Sequence, residues 1–140
     1  MKKIILIFGL ILFFQNVLAE RKVVFFINTK NECLGCNIGI NNLFKILQHN
    51  QISTTVYFKS ISSFQFQKYC DEVDFDFSKY TTVINSRANY ESALYYYLKL
   101  RTIDSYVLIL DEDRLIFKCN LIKLVENKAE LDKFNYYLFN

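Results

Sequence analysis

The sequence predicts an α/β domain in which helices flank a mixed β-sheet. A continuous apolar run at residues 22–28 indicates a buried central strand, and helix-like and strand-like segments alternate after it. Near residues 106–118, two strand-like runs are separated only by a charged turn, which indicates a β-hairpin. The resulting order, β-α-β-α-β-α-β-β-α, places parallel strands first and an antiparallel hairpin last.

The first strand is predicted at residues 22–28, where the run KVVFFIN is rich in β-branched and aromatic residues. Such a run suits a strand that is buried on both faces. From Cys33 onwards apolar residues recur at helical spacing, and this first helix is expected to end near residues 48–51. Residues 53–60, STTVYFKS, then alternate as the second strand.

The middle of the chain predicts a helix, a strand and a further helix. Residues 62–73 form the first of these helices, with Ser62 or Ser63 as its cap, because a serine oxygen there can accept a hydrogen bond from an unpaired backbone N–H. Residues 81–86, TTVINS, predict a short strand, and the helix formers of residues 89–101 predict the helix that follows.

The carboxyl-terminal part predicts the hairpin and a closing helix. The hairpin strands are expected at residues 106–110 and 115–118, joined by the charged turn of residues 111–114. Residues 121–139 predict one amphipathic helix, because apolar side chains recur along it at helical spacing.

Residues 1–19 have the pattern of a secretory signal peptide. A positive start, MKK, precedes an apolar run at residues 4–14, and Val17 and Ala19 occupy the small-residue positions that signal peptidase reads. The apolar run is short for a bilayer span, and an uncleaved membrane anchor is the alternative interpretation. We therefore expect an exported protein, periplasmic or extracellular, with one domain at residues 20–140 and no stable membrane span after cleavage.

The composition of the expected mature chain limits its partners. It would carry 15 basic and 14 acidic side chains, without a basic run of five or more, so neither nucleic acid nor an anionic membrane surface is indicated. No nucleotide, flavin or metal motif is present, and no cofactor or metal is expected. A zinc site made by all four cysteines fits poorly. Zinc ribbons normally bring two Cys-x-x-Cys pairs together, whereas here 48 residues separate Cys70 from Cys119.

The stretch NECLGCNIGI holds a Cys-x-x-Cys pair, Cys33 and Cys36, between the first strand and the first helix. Two intervening residues bring the sulfurs together on a single turn, which favours this disulfide over any other pairing. The residues alone leave three interpretations open: a reactive dithiol, half of a metal site, or a structural disulfide. Gly35 would keep the turn open and expose backbone, and Gly39 would let the first helix pack closely on its neighbours, although both glycines could equally be local accommodations.

The remaining candidate groups have structural interpretations. Cys70 and Cys119 are either buried small hydrophobic residues or the two partners of a second, structural disulfide. His49, the only histidine, is expected at the solvated end of the first helix, where a cation suits the helix dipole.

The buried strand, the Cys-x-x-Cys pair at a helix start and the terminal hairpin followed by a helix together resemble the thioredoxin fold. The signal segment and the run LILDEDRLIF make the chain most similar to the secreted TlpA-like thiol-disulfide oxidoreductases, with Cys33, Cys36 and the Asp111 turn matching at residue level. This resemblance implies an exported thiol-disulfide oxidoreductase that acts on protein disulfides and exchanges electrons with a redox partner protein. Cys33 would be the nucleophile, favoured by the helix dipole, and Cys36 the resolving thiol.

The resemblance also implies a substrate groove beside the dithiol. The family usually has a cis proline there, just before the first strand of the hairpin, whereas this chain has no proline at all. Asp104 and Ser105 occupy the corresponding place, and with Gly35 they are the expected substrate-binding residues.

Two further departures from the family pattern leave a second function open. Ile27 stands six residues before Cys33, where thioredoxins proper carry a buried acid, and Glu32 places a carboxylate beside Cys33 that disfavours the thiolate. The alternative is a catalytically degenerate thioredoxin-like binding or accessory module, in which the Cys33–Cys36 disulfide only closes a loop.

Overall fold

The computed structural model describes residues 20–28, 34–59, 62–74, 82–99 and 104–140. The elements are β1 (Arg21–Ile27), α1 (Leu34–His49), β2 (Ser53–Phe58), α2 (Ser63–Val73), β3 (Thr82–Asn85), α3 (Arg87–Leu98), β4 (Tyr106–Asp111), β5 (Arg114–Asn120), α4 (Leu121–Glu126) and α5 (Lys128–Phe139). Their order confirms the predicted α/β architecture with a late hairpin.

The described strands form one mixed sheet in the order β3-β2-β1-β4-β5. β1 pairs in parallel with β2 and β2 in parallel with β3, whereas β4 runs antiparallel to both β1 and β5. The central position of β1 explains its composition. A strand covered on both faces has no side that can remain polar, and each residue from Val23 to Ile27 is buried.

Two hydrophobic cores lie on opposite faces of this sheet. The first core is formed with α1, α2, α4 and α5 over the alternate residues Val23, Phe25 and Ile27 of β1. The second core is formed by α3 over Val24 and Phe26, which point to the other face. The first helix therefore packs on the more heavily covered side of the sheet.

Side-chain caps fix where several helices begin. Ser62 accepts from the Gln65 N–H at the start of α2, which confirms the first of the two predicted caps. The predicted single helix at residues 121–139 is wrong, because the chain breaks at Asn127 into α4 and α5. The Asn127 side chain accepts from the backbone N–H groups of Ala129 and Glu130, so it starts a new helix in the middle of a continuous apolar pattern.

Gly39 brings α1 close to α4, as the sequence predicts for this residue. A Cβ atom added at Gly39 would lie 2.8 Å from the Cβ and 3.0 Å from the Cγ1 of Val125 on α4. Both distances are shorter than normal carbon contacts, so the two helices can approach this closely only because residue 39 has no side chain.

A second link ties α1 to α2. The Asn41 side-chain amide donates to the backbone carbonyl of Val73, the last residue of α2, and also to that of Asp74 at 3.3 Å. Carbonyls at the end of a helix lack partners within that helix, so the asparagine satisfies groups that α2 itself leaves open.

The hairpin turn is built without glycine. Glu112 adopts a left-handed conformation with φ 56°, which is uncommon for a residue with a side chain. Asp111 pairs with Arg21 of β1 at 3.3 Å and with Arg114 across the turn at 3.6 Å, so the hairpin is also tied to the central strand. In the described ranges, no helix is both long and apolar enough to span a membrane.

Candidate functional site

The Cys-x-x-Cys segment lies at the boundary between β1 and α1. Helix α1 begins at Leu34, the residue that follows Cys33 in the sequence, and Gly35 and Cys36 belong to its first turn. Cys33 itself and the side chain of Cys36 lie outside the described residues. The dithiol therefore stays a prediction from the sequence, whereas the strand before it and the helix after it are in place.

Ser105 is buried at the carboxyl end of β1, although the sequence suggests it as a substrate contact. Only 2% of its surface is exposed, and its Oγ accepts a hydrogen bond from the backbone N–H of Asn28 at 2.9 Å. Asn28 follows β1 directly and is itself buried. The Ser105 hydroxyl therefore joins the beginning of the segment that leads to Cys33 with the beginning of β4.

The backbone of Ser105 makes a second connection, to α4. Its carbonyl oxygen accepts from the N–H of Leu121, the first residue of that helix, at 2.9 Å. The neighbouring residue Asp104 is exposed. No cis peptide bond occurs in the part of the chain that the structure describes, so the Asp104–Ser105 peptide bond is trans.

The end of β1 is apolar where the thioredoxins proper carry an acid. Ile27 is fully buried and belongs to the first core, together with Ile40 and Phe44 of α1. A charged carboxylate at this point would lose its hydration among apolar side chains, at a large cost in free energy. The structure thus provides no proton acceptor at residue 27.

Cys119 is a buried thiol at the end of β5. It is not part of a disulfide, so the second disulfide with Cys70 that the sequence leaves open is not formed. Its Sγ lies 3.9 Å from the Oε2 of Glu130, which also pairs with Lys133 at 3.2 Å and with Lys123 at 3.6 Å. Burial, and then the Glu130 charge, raise the pKa of the Cys119 thiol, which keeps it protonated and unreactive.

Two other sequence predictions concern residues away from this boundary. Cys70 is half-buried and packs against the first core, as expected of a small hydrophobic residue. His49 is the last residue of α1 and is exposed, which confirms its predicted place at the helix end. Within the described residues, no group of three or more histidine, cysteine or acidic side chains is arranged to hold a metal ion.

Asn28 is the site residue that the sequence does not single out. Its only signal is that a polar residue ends an otherwise apolar strand. Its partner Ser105 is 77 positions further along the chain, and no local pattern predicts a contact over that separation.

Comparison with known proteins gives a likeness of fold. No protein-family model matches the sequence, and no curated protein matches it significantly. BsSco, a member of the Sco family of cytochrome c oxidase assembly proteins, superposes with a TM-score of 0.58 at 16% identity, over 84% of this chain and 78% of that one. The thioredoxin domain of a thiol-disulfide oxidoreductase from Bacteroides vulgatus superposes with a TM-score of 0.59 at 9% identity, over 86% and 80%.

A thioredoxin-like protein from Parabacteroides distasonis gives a TM-score of 0.53 at 19% identity, over 79% of this chain and 81% of its own. Identities this low establish the architecture and not the chemistry. The chain thus has the thioredoxin fold, as its sequence pattern predicts.

Proposed function

We propose that this thioredoxin-fold chain is an exported thiol-disulfide oxidoreductase that uses Cys33 and Cys36 as its redox pair on protein disulfides. The observation that carries the proposal is the place of the Cys-x-x-Cys sequence. It follows the buried central strand β1 and runs into the first turn of the 16-residue helix α1, which contains Cys36. The unpaired N–H groups at the start of such a helix favour an anion, so a cysteine there ionises more readily than a free one.

The proposed reaction is a pair of thiol-disulfide exchanges. The Cys33 thiolate attacks one sulfur of a substrate disulfide, forms a mixed disulfide and releases the other substrate sulfur as a thiolate, which takes up a proton. The Cys36 thiolate then attacks the Cys33 sulfur and releases the second substrate thiol. The substrate disulfide gains two electrons and two protons, and Cys33–Cys36 becomes oxidised. A dithiol-bearing redox partner protein reverses the change in the enzyme by the same exchange.

The signal-like residues 1–19 support export to the periplasm or the extracellular space, with residues 20–140 as the working domain. Structural disulfides are made and corrected in such compartments, so protein thiols and disulfides are the substrate class that suits the location. Asp104 and Gly35 are proposed to lie beside the bound substrate, by their place in the family pattern. No cofactor is proposed, because cysteine exchange needs only the two sulfurs and a partner.

The test is thiol-disulfide equilibration of purified residues 20–140 against glutathione, with mass spectrometry of alkylated peptides to assign the sulfurs. We expect a reversible Cys33–Cys36 couple and fastest alkylation at Cys33 near neutral pH. Cys33→Ser should abolish reduction of a model protein disulfide. Cys36→Ser should trap the mixed disulfide, because the resolving thiol is gone.

Cys70→Ala is the matched control, since it removes a thiol that packs against the core and should leave turnover unchanged. A Cys33–Cys36 bond that never forms, or that is reduced only when the domain unfolds, would contradict the proposal.

The second candidate function is a non-catalytic thioredoxin-like module. The buried Ile27 favours it, because no carboxylate is available at that position to accept a proton during exchange. In this case the Cys33–Cys36 disulfide would resist reduction in the folded domain, and Cys33→Ser would lower stability without removing any activity. The same glutathione series therefore separates the two functions.

A further inference from the structure

We infer that Ser105 is a positioning residue for the dithiol, acting through its hydrogen bond to Asn28. The inference rests on the proposed function and adds to it a residue that sets the redox balance from outside the cysteine segment. A proline at this position could not make the contact, because it has no hydroxyl. The serine in place of the family proline thus has a structural role of its own.

The contact continues the β1–β4 pairing past the point where the backbone ladder stops. The ladder ends with Phe26 opposite Tyr106. Ser105 directly precedes β4, and its side-chain Oγ accepts a hydrogen bond from the Asn28 N–H at 2.9 Å. Both residues are buried, so this hydrogen bond is shielded from water, and its loss would remove a buried hydrogen bond from the end of β1.

Ser105 is also linked to α1, the helix that carries Cys36, indirectly through α4. Its carbonyl oxygen accepts from Leu121 at the start of α4. Val125, one turn later on α4, touches Gly39 of α1 so closely that no side chain fits between them. The described residues on the two sides of the cysteine segment are therefore both fixed: Asn28 by the Ser105 hydroxyl, and Gly39 by the close packing of α1 on α4.

Fixing both ends of a short segment affects its disulfide more than its dithiol. A disulfide requires a narrow range of distances and angles between its two cysteines, whereas two thiols tolerate many arrangements. Holding the ends in place therefore raises the effective concentration of one sulfur at the other. Removing the Ser105 hydroxyl should shift the equilibrium with glutathione towards the dithiol.

The experiment compares three variants of residues 20–140 with the parent chain. Ser105→Ala removes the hydroxyl, and Ser105→Thr retains one. Thr54→Ala is the matched control, since it removes a buried hydroxyl that bonds to the Ile52 carbonyl at 3.0 Å, near the opposite end of the sheet. Should Ser105→Ala not fold, Ser105→Gly replaces it, because the smaller residue admits water to the freed N–H.

Two quantities are measured for each variant. The first is the amide hydrogen-exchange rate of Asn28 with all thiols reduced, which reports the hydrogen bond without any redox chemistry. The second is the equilibrium constant with glutathione. For Ser105→Ala we expect Asn28 to exchange about tenfold faster or more, as for a lost buried hydrogen bond, and the equilibrium constant to move at least about threefold towards the dithiol. Ser105→Thr and Thr54→Ala should leave both quantities near the parent values.

The outcomes separate the inference from the proposed function. If the parent chain exchanges reversibly but Ser105→Ala leaves its equilibrium constant unchanged, the positioning role is refuted and the oxidoreductase remains. If Ser105→Ala and Thr54→Ala change both quantities equally, the effect is general loss of stability and the inference is again refuted. If the parent chain does not exchange disulfides with glutathione at all, both the proposed function and the inference that rests on it are refuted.

Discussion

Gly39→Ala tests whether the close contact between α1 and α4 is required for stability. The new Cβ would lie 2.8 Å from the Cβ of Val125, about 0.7 Å short of the roughly 3.5 Å at which carbon atoms begin to attract. Rotation of the valine side chain cannot relieve this contact, because its Cβ is fixed to the backbone. One of the two helices must therefore shift.

Two effects of opposite sign determine the size of the change. Overpacking of a core costs about 1–3 kcal/mol, and a contact between two backbone-fixed carbons belongs at the upper end. Alanine in place of glycine within a helix stabilises the folded state by about 1 kcal/mol, because alanine has the better helix propensity. We expect a net loss of about 1–2 kcal/mol in the free energy of unfolding, equivalent to roughly 4–8 °C in the melting temperature of a domain of this size.

Urea unfolding of Gly39→Ala, followed by circular dichroism, measures this loss as a lower midpoint with an unchanged slope. Asn42→Ala is the control, because Asn42 is exposed on the same helix and gains propensity without a contact, so it should be neutral or slightly stabilising. In the background of Val125→Ala both γ-carbon contacts, at 3.0 and 3.5 Å, disappear and the 2.8 Å Cβ contact remains, so the loss should shrink and not vanish. A Gly39→Ala protein as stable as its parent would show that the helices separate freely and that the close-packing argument is wrong.

Three other predictions use contacts elsewhere in the fold. Asn41→Asp should lower the free energy of unfolding by about 1–3 kcal/mol, because a carboxylate cannot donate to the end of α2, and the same change at the next, exposed residue of α1 should have little effect in urea unfolding. Glu112→Gly should stabilise by about 0.5–1 kcal/mol, because glycine adopts the left-handed turn without steric cost, whereas Asp113→Gly, where φ is not positive, should not raise the melting temperature. Burial raises the pKa of the Cys119 thiol above its ordinary 9.0, so the folded state favours the protonated thiol. The stability that this thiol contributes is therefore complete below pH 9 and is lost as the pH rises through the folded-state pKa. The stability difference between the parent and Cys119→Ala should therefore shrink above pH 9 in denaturant titrations, and a difference that grows would contradict the assigned burial.

The central strand β1 was predictable because the residues that it buries are consecutive in the sequence. The run from Val23 to Ile27 contains only apolar side chains, and a strand covered on both faces is the simplest way to bury all of them. The cap at Ser62 was predictable for a similar local reason. The break at Asn127 was missed because apolar spacing continues on both sides of it, although the sequence Asn127-x-x-Glu130 is itself a helix-start signal.

The site was less accessible from the sequence than the fold. The Cys-x-x-Cys pattern and the place of Ser105 follow from short-range order and from the family resemblance. The contact that Ser105 makes does not follow from the sequence. Its partner Asn28 is 77 positions away along the chain and is brought close only by the pairing of β1 with β4. Contacts of this kind depend on sheet register, which many residues determine together and no single pattern reveals.

The unequal covering of the sheet has a consequence for how the domain opens. Tyr90, Leu94 and Leu98 of α3 belong to the second core, whereas α1 packs within the first, and α3 is the one described helix on its face. Detachment of α3 would expose that face and leave the packing of α1 on the other face intact. Partial unfolding should therefore begin at α3 as a separate cooperative unit, and a thiol pair at the start of α1 would remain on the part of the molecule that opens last.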